Sequence, residues 1–309
     1  MENLHVAGRW KDALLLTEPR RRRRVARLVR RLERLERRDA RPARATRSVR
    51  PARGQGDRGR RRATVAVAVL VVLLGGASVA ARLDDSSSDS AFPGRPDDAA
   101  SAPLGAPAAG GTASDAYAFI ATQKGGSDPV TYDPCAPIHL VVDARTIVDG
   151  GMKLLEQALD EVSEASGLQL VVDGLTDDEA PEGDAVTGPD RTWLPVTVTW
   201  SDPKASPKLK GDVAGYAGSS SIERDGHRWF VTGTVVLDGP QLKRILDQRG
   251  GRAGVRSVMM HELAHLVGLD HVDAAGQLMR PSGDESITTW GAGDRTGLAA
   301  VGSGRCIPY

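Results

Sequence analysis

Apolar positions between residues 115 and 309 repeat with two different periods, and the switches between them mark out the secondary-structure elements. "IHLVVD" (Ile138–Asp143) alternates and is rich in β-branched residues, which predicts a strand. In "GMKLLEQALDEVSEASG" the residues Leu154, Leu155, Ala158, Leu159 and Val162 share one face of a 3.6-residue repeat, and Gly167 suits the end of that helix. "LQLVVDG" and "WLPVTVTW" predict a second and a third strand. A long polar stretch follows, and then "RWFVTGTVVLD" reads as one or two strands around Gly233. "GPQLKRILDQRG" predicts a short helix, and "GVRSVMMHELAHLVG" a longer one that Gly268 ends. The order β-α-β-β-β-α-α predicts an α+β domain over 115–309, with a twisted mixed sheet packed on two main helices.

The pattern before residue 115 differs. "ATVAVAVLVVLLGGASVA" (Ala63–Ala80) is eighteen residues without a charge, about 27 Å long as a helix and just sufficient to span a hydrocarbon core. Three arginines, Arg60, Arg61 and Arg62, abut one end, and "RLDDSSSD" follows the other. Residues 63–81 are therefore expected to form a single transmembrane signal anchor, with a cytoplasmic N-terminus and everything after Arg82 extracellular. The small residues of "ASVAA" also suit a signal peptidase, and cleavage there would give a secreted form. Residues 1–62 read as a largely disordered Arg-rich arm, with a helical piece where Val25, Leu28, Leu32 and Leu35 follow 3-4-3 spacing. Residues 82–114 are too poor in apolar side chains to order themselves and read as a flexible linker.

Charge sharpens this division. Residues 1–62 hold 22 basic and 7 acidic residues, a net of +15, and the remainder holds 19 basic and 33 acidic, a net of −14. A basic arm beside a membrane fixes topology, and no nucleic-acid partner is expected. Both cysteines, Cys135 and Cys306, fall in the acidic part, where an oxidising compartment would permit a disulfide.

The chemistry concentrates in "MMHELAHLVGLDHVDAAGQLMRP" (Met259–Pro281), which holds three of the chain's six histidines. His261 and His265, four residues apart on a helix, stack on one face and can share a metal ion. Glu262 is rotated about 100° from His261, near enough to reach a metal-held water without being a ligand. His271 on a continued helix would lie about 9 Å beyond His265 and about 120° off the ligand face. Gly268 removes the difficulty, because glycine takes the left-handed backbone that stops a helix and redirects the chain. The spacing thus describes a helix, a stop and a returning third ligand. Three neutral nitrogens leave zinc an open position, as in catalytic rather than structural sites.

The stretch His-Glu-x-x-His-x-x-Gly-x-x-His from His261 to His271 resembles the metzincin zinc-peptidase signature. "LMRP", which puts Met279 eight residues past His271, resembles the Met-turn, with Met279 as a hydrophobic floor beneath the metal, and Pro281 is similar to the matrixin branch. "GAGDRTGL" resembles the start of the matrixin C-terminal helix, with Asp294 at an acidic position seen in that family. The resemblance implies a metzincin-like catalytic domain and a zinc-dependent endopeptidase in which Glu262 is the general base. It also implies an extended substrate antiparallel to an edge strand within Gly215–Asp238. A peptide or protein substrate, one catalytic zinc and a monomer are expected. A zinc-holding scaffold without turnover is the alternative.

Departures from the family are plain. No cysteine precedes residue 135, so no thiol is placed to cap the metal. His139 and His227 are too isolated to form a structural zinc site and read as ordinary strand or turn residues. The acidic stretch Asp173–Asp190 offers oxygens for Ca2+, but without a recognisable ligand spacing.

Overall fold

A computed structural model describes residues 92–108, 112–143, 145, 147–177, 185–281 and 286–309. Their elements in chain order are β1 (Ala118–Phe119), β2 (Ile138–Asp143), α1 (Gly151–Ser166), β3 (Leu170–Thr176), β4 (Val196–Ser201), β5 (Gly215–Arg224), β6 (His227–Asp238), α2 (Gly239–Leu246), α3 (Gly251–Val267), β7 (Leu269–Asp270) and α4 (Ala292–Gly302).

Five strands form one sheet in the order β3-β2-β4-β6-β5, and β1 pairs with β7 beside it. The neighbours β3–β2, β2–β4 and β4–β6 are parallel, and β5 alone runs antiparallel, on the outer edge. Parallel neighbours need a crossover, and α1 supplies it between β2 and β3. The α+β expectation is corrected on this ground to a mixed α/β fold, because three of the four strand pairings are parallel and β2, α1 and β3 form a βαβ unit. β5 and β6 are joined by Asp225 and Gly226, both at positive φ (52° and 72°), as a two-residue hairpin following the right-handed strand twist requires.

The core lies between the sheet and the helices α1 and α3. Leu154, Leu155, Leu159 and Val162 of α1 meet Leu140, Val142 and Val198 of the sheet and Met259 and Leu263 of α3. Gly167 ends α1 at φ 79° and donates its N–H to the carbonyl of Ser163. A Cβ there would come 2.6 Å from the carbonyl carbon of Ala106, so glycine serves both the turn and a close chain crossing.

That crossing belongs to residues 92–108, within the stretch read from composition as a linker. Here the chain lies along the domain. Ala100 N–H donates to the Cys135 carbonyl at 2.7 Å, Leu104 N–H to Pro134 at 2.9 Å, and Ala108 N–H to Glu164 at 2.9 Å. The Phe92 ring meets Trp193 edge-on at 5.4 Å. His139 stands between two carboxylates, Nδ1 at 2.9 Å from Asp173 and Nε2 at 2.9 Å from Asp98. Backbone hydrogen bonds do most of this fastening, which is why apolar content gave no sign of it. Cys135 and Cys306 form a disulfide across 171 residues, tying the C-terminal tail to the loop before β2.

The expectation of one membrane-spanning helix, and with it of a single-pass protein in the cell membrane, is corrected. Among the described residues no helix is long and apolar enough to cross a membrane. The longest, α3, has 17 residues and carries Arg252, Arg256 and Glu262. Residues 63–81, on which the expectation rested, lie outside the described residues, as do the arm 1–62 and its helical repeat.

Candidate metal centre

From Met259 to Val267 every residue of α3 is buried. A helix end enclosed on all sides places its polar side chains among apolar neighbours, where each needs a partner. His261 directs Nδ1 to the carbonyl of Leu278 at 2.9 Å, and His265 directs Nδ1 to the carbonyl of Leu269 at 2.8 Å. A carbonyl only accepts, so in both rings Nδ1 carries the hydrogen and Nε2 presents a lone pair.

Gly268 stops the helix at φ 120° and donates its N–H to the carbonyls of Ala264 and His265, each at 3.1 Å. The chain then returns as β7, held against β1 with Ala118 opposite Asp270 and Phe119 opposite Leu269. This brings His271 Nε2 to 3.1 Å from Nε2 of both His261 and His265. All three nitrogens lie within 4.8 Å of one another.

These contacts are not satisfied as hydrogen bonds. Two of the rings offer only lone pairs at Nε2, so a proton on His271 serves one neighbour and leaves the other repelled. A cation among the three nitrogens relieves every repulsion at once. Tetrahedral zinc–nitrogen bonds of about 2.0–2.1 Å imply ligand separations of about 3.4 Å, close to those found. Burial first, and then the neighbouring rings, hold His261 well below the usual imidazole range and bring His265 down to about 4. Burial lowers His271 as well. The rings are therefore neutral, as metal ligands must be, and the donor set is compatible with zinc.

Glu262 is 2 % exposed, and its Oε2 has no hydrogen-bond partner among the described residues. Burial pushes its carboxyl up to about 8. A buried carboxyl with one oxygen left unpartnered, on the residue next to His261, is costly for a structural role alone.

The turn after His271 is set by α4. Asp294, fully buried, accepts backbone N–H groups from Leu278 at 2.6 Å, Met279 at 3.3 Å and Gly291 at 2.8 Å, while its own N–H donates to Gln277 Oε1 at 3.0 Å. Met279 is buried in the core, and its carbonyl accepts from Val272 N–H at 2.9 Å. The residues singled out by the sequence, His261, Glu262, His265, Gly268, His271 and Met279, thus meet in one region.

Sequence reasoning did not find the supporting shell: the carbonyls of Leu269 and Leu278, the β1–β7 pair and Gln277. Backbone carbonyls and two-residue strands leave no residue-type signal. Strand β5 was also missed, although the Asp225–Gly226 pair before "HRWFV" is a hairpin signature that would have found it. Among the described residues, Asp133, Cys135 and Cys306 form one other cluster of ligand types, but its two sulfurs are bonded to each other. His227 packs against Trp229 with ring centres 4.3 Å apart and planes tilted by 56°. Part of the acidic stretch considered for Ca2+ lies outside the described residues.

No protein-family model and no curated protein matches the chain. Among solved structures, the GM1-bound form of the ECX AB5 holotoxin is similar at 11% identity and a TM-score of 0.25 over 45% of this chain. The chain covers 54% of that one, about half its length. A zinc-dependent peptidase from Methanocorpusculum labreanum (strain Z) is similar at 13% identity and a TM-score of 0.27, over 52% of this chain and 98% of that one. Overlap this slight carries no inference about activity, which rests on the residues themselves.

Proposed function

We propose that the chain is a zinc-dependent endopeptidase of the metzincin type, matrixin-like in its His261–His271 and Met279–Pro281 stretches. The observation that carries this reading is the convergence of three Nε2 atoms, two of them with their tautomer fixed by backbone carbonyls, beside an unpartnered buried carboxyl. His261, His265 and His271 would hold the ion, which when bound would supply Lewis acidity and an activated water.

The chain's own residues do the rest. Glu262, as carboxylate, takes a proton from the attacking water and as the acid returns it to the departing amide nitrogen. Its apolar enclosure keeps the proton-transfer path free of competing solvent. The Glu262 carboxyl, pushed up by burial, would be held in its carboxylate form by a dication bound at the three imidazoles. β5, with one side free of any strand among the described residues, offers backbone N–H and C=O groups to an extended substrate by β-augmentation.

The test is Glu262→Ala in the full chain. Peptide hydrolysis is expected to fall by at least about 10²–10⁴-fold, with zinc content by metal analysis unchanged. Retained turnover in that variant refutes the assignment. A wild-type protein that binds zinc stoichiometrically but cleaves no member of a peptide library is instead a zinc-holding scaffold.

A further inference from the structure

Strand β5 begins at Gly215, paired across to Leu237 of β6. The residue is buried, and its φ is not positive, so no backbone conformation requires glycine there. Space does. A Cβ at Gly215 would sit 2.8 Å from Cγ and 3.0 Å from Cδ of Glu262, and 3.0 Å from the carbonyl oxygen of Val236. Separations below about 3.4 Å between carbon atoms are repulsive rather than attractive. By contrast, Gly218, three residues along the same strand, has nothing within 4 Å of where its Cβ would lie.

We infer that Gly215 is a positioning residue, whose missing side chain is the slot in which the Glu262 carboxyl lies. The inference rests on the reading of Glu262 as general base, which it deepens. The Glu262 stem is hemmed in by its own buried helix on one side and by the β5 backbone on the other. An added methyl group leaves it only rotamers that carry the carboxyl away from its present place. A displacement of about 1 Å at a reacting group costs on the order of 10²-fold in rate. The three imidazoles keep their own backbone anchors, at Leu278, at Leu269 and through the β1–β7 pair, so metal binding is not the property that suffers.

The test combines Gly215→Ala, Glu262→Ala, the double variant and, as a control outside β5 with nothing within 4 Å of its would-be Cβ, Gly94→Ala, all in the full chain. Gly215→Ala is expected to lower kcat by at least about tenfold with KM and zinc affinity near wild type, while Gly94→Ala leaves kcat unchanged. Thermal unfolding supplies a readout independent of turnover. Gly215→Ala lowers Tm when Glu262 is present and lowers it less when Glu262→Ala has removed the colliding carbons. A wild-type kcat in Gly215→Ala, or an equal Tm loss in both backgrounds, overturns the inference. If Gly215→Ala does not fold, folding of the double variant supports the contact, and failure of both places the constraint at Val236 and overturns it. Should the wild type hydrolyse no peptide, the endopeptidase reading fails, and the unfolding comparison alone decides whether Gly215 shapes the Glu262 slot.

Discussion

Asp294 and His261 are joined through a single residue. The Asp294 carboxylate accepts the N–H of Leu278 at 2.6 Å, and the carbonyl of the same Leu278 accepts Nδ1–H of His261 at 2.9 Å. A buried acid on α4 thereby helps hold in place the carbonyl that fixes the tautomer of a ring of the candidate metal centre on α3. Supporting partners of this kind change metal affinity by about 10–100-fold when removed.

Asp294→Ala is expected to weaken zinc binding by about that factor. It also strips the acceptor from three backbone N–H groups, at about 1–3 kcal/mol for each buried donor left unpaired. Asp294→Asn keeps one acceptor oxygen and falls between. Competition against a chromogenic chelator, alongside thermal unfolding, measures both. A folded Asp294→Asn protein with unchanged zinc affinity would show that the Leu278 link does not act on the site.

Gly268→Ala places a Cβ on a residue at φ 120°, a region where such backbone costs about 1–3 kcal/mol, and 3.3 Å from the Val130 carbonyl. Because His271 follows this turn, faster zinc dissociation should accompany the lower Tm. Stopped-flow release into excess chelator reads the first quantity directly.

Breaking the Cys135–Cys306 disulfide, by reduction or by the double Cys→Ala change, frees a 171-residue loop in the unfolded chain. The chain-entropy account puts the loss at up to about 5 kcal/mol. Neither sulfur touches the histidines, so the reduced protein is expected to bind zinc normally at temperatures where it remains folded. Denaturant unfolding with and without reductant checks the first statement, and metal analysis the second.

Stability should also depend on pH through His139. Hydrogen bonding to Asp173, opposed by burial and aided by the charges of Asp173 and Asp98, raises its pKa above the ordinary 6.5. The folded state therefore holds the proton more tightly than the unfolded state. The stabilisation is complete below about pH 6.5 and is lost as pH rises through the raised folded-state value. His139→Gln should show a flatter Tm profile over this window than wild type, and coincident profiles would remove His139 as the cause.

How much of this was legible depended on how local each signal is. The turn-to-turn spacing of His261, Glu262 and His265, the stop at Gly268 and the apolar face of α1 are written within a few residues, and each appears where its pattern placed it. β5 was hidden because an edge strand is half solvated: "GYAGSSSIER" has no apolar alternation to display, and its partner is selected by the hairpin rather than by its own side chains. The parallel order of β2, β4 and β6 follows from long-range pairing, which no local period encodes. The attachment of residues 92–108 was equally silent, since main-chain groups make it. At the site itself, the meeting of the three imidazoles was readable and the carbonyls that orient them were not.

A sheet that finishes in a ten-residue strand with no further strand beside it among the described residues is a template for any extended chain, including another copy of the same protein. Two features of this edge oppose that hazard: the register shift opposite Ser220 and Ser221, where β6 carries the extra residue Val231 and the pair twists locally, and the charged residues Glu223 and Arg224 at the tip of β5. On the proposed reading, resistance to aggregation and the admission of a foreign peptide would draw on the same short edge. A change that straightens or neutralises it for tighter capture would be expected to make the protein stickier toward itself.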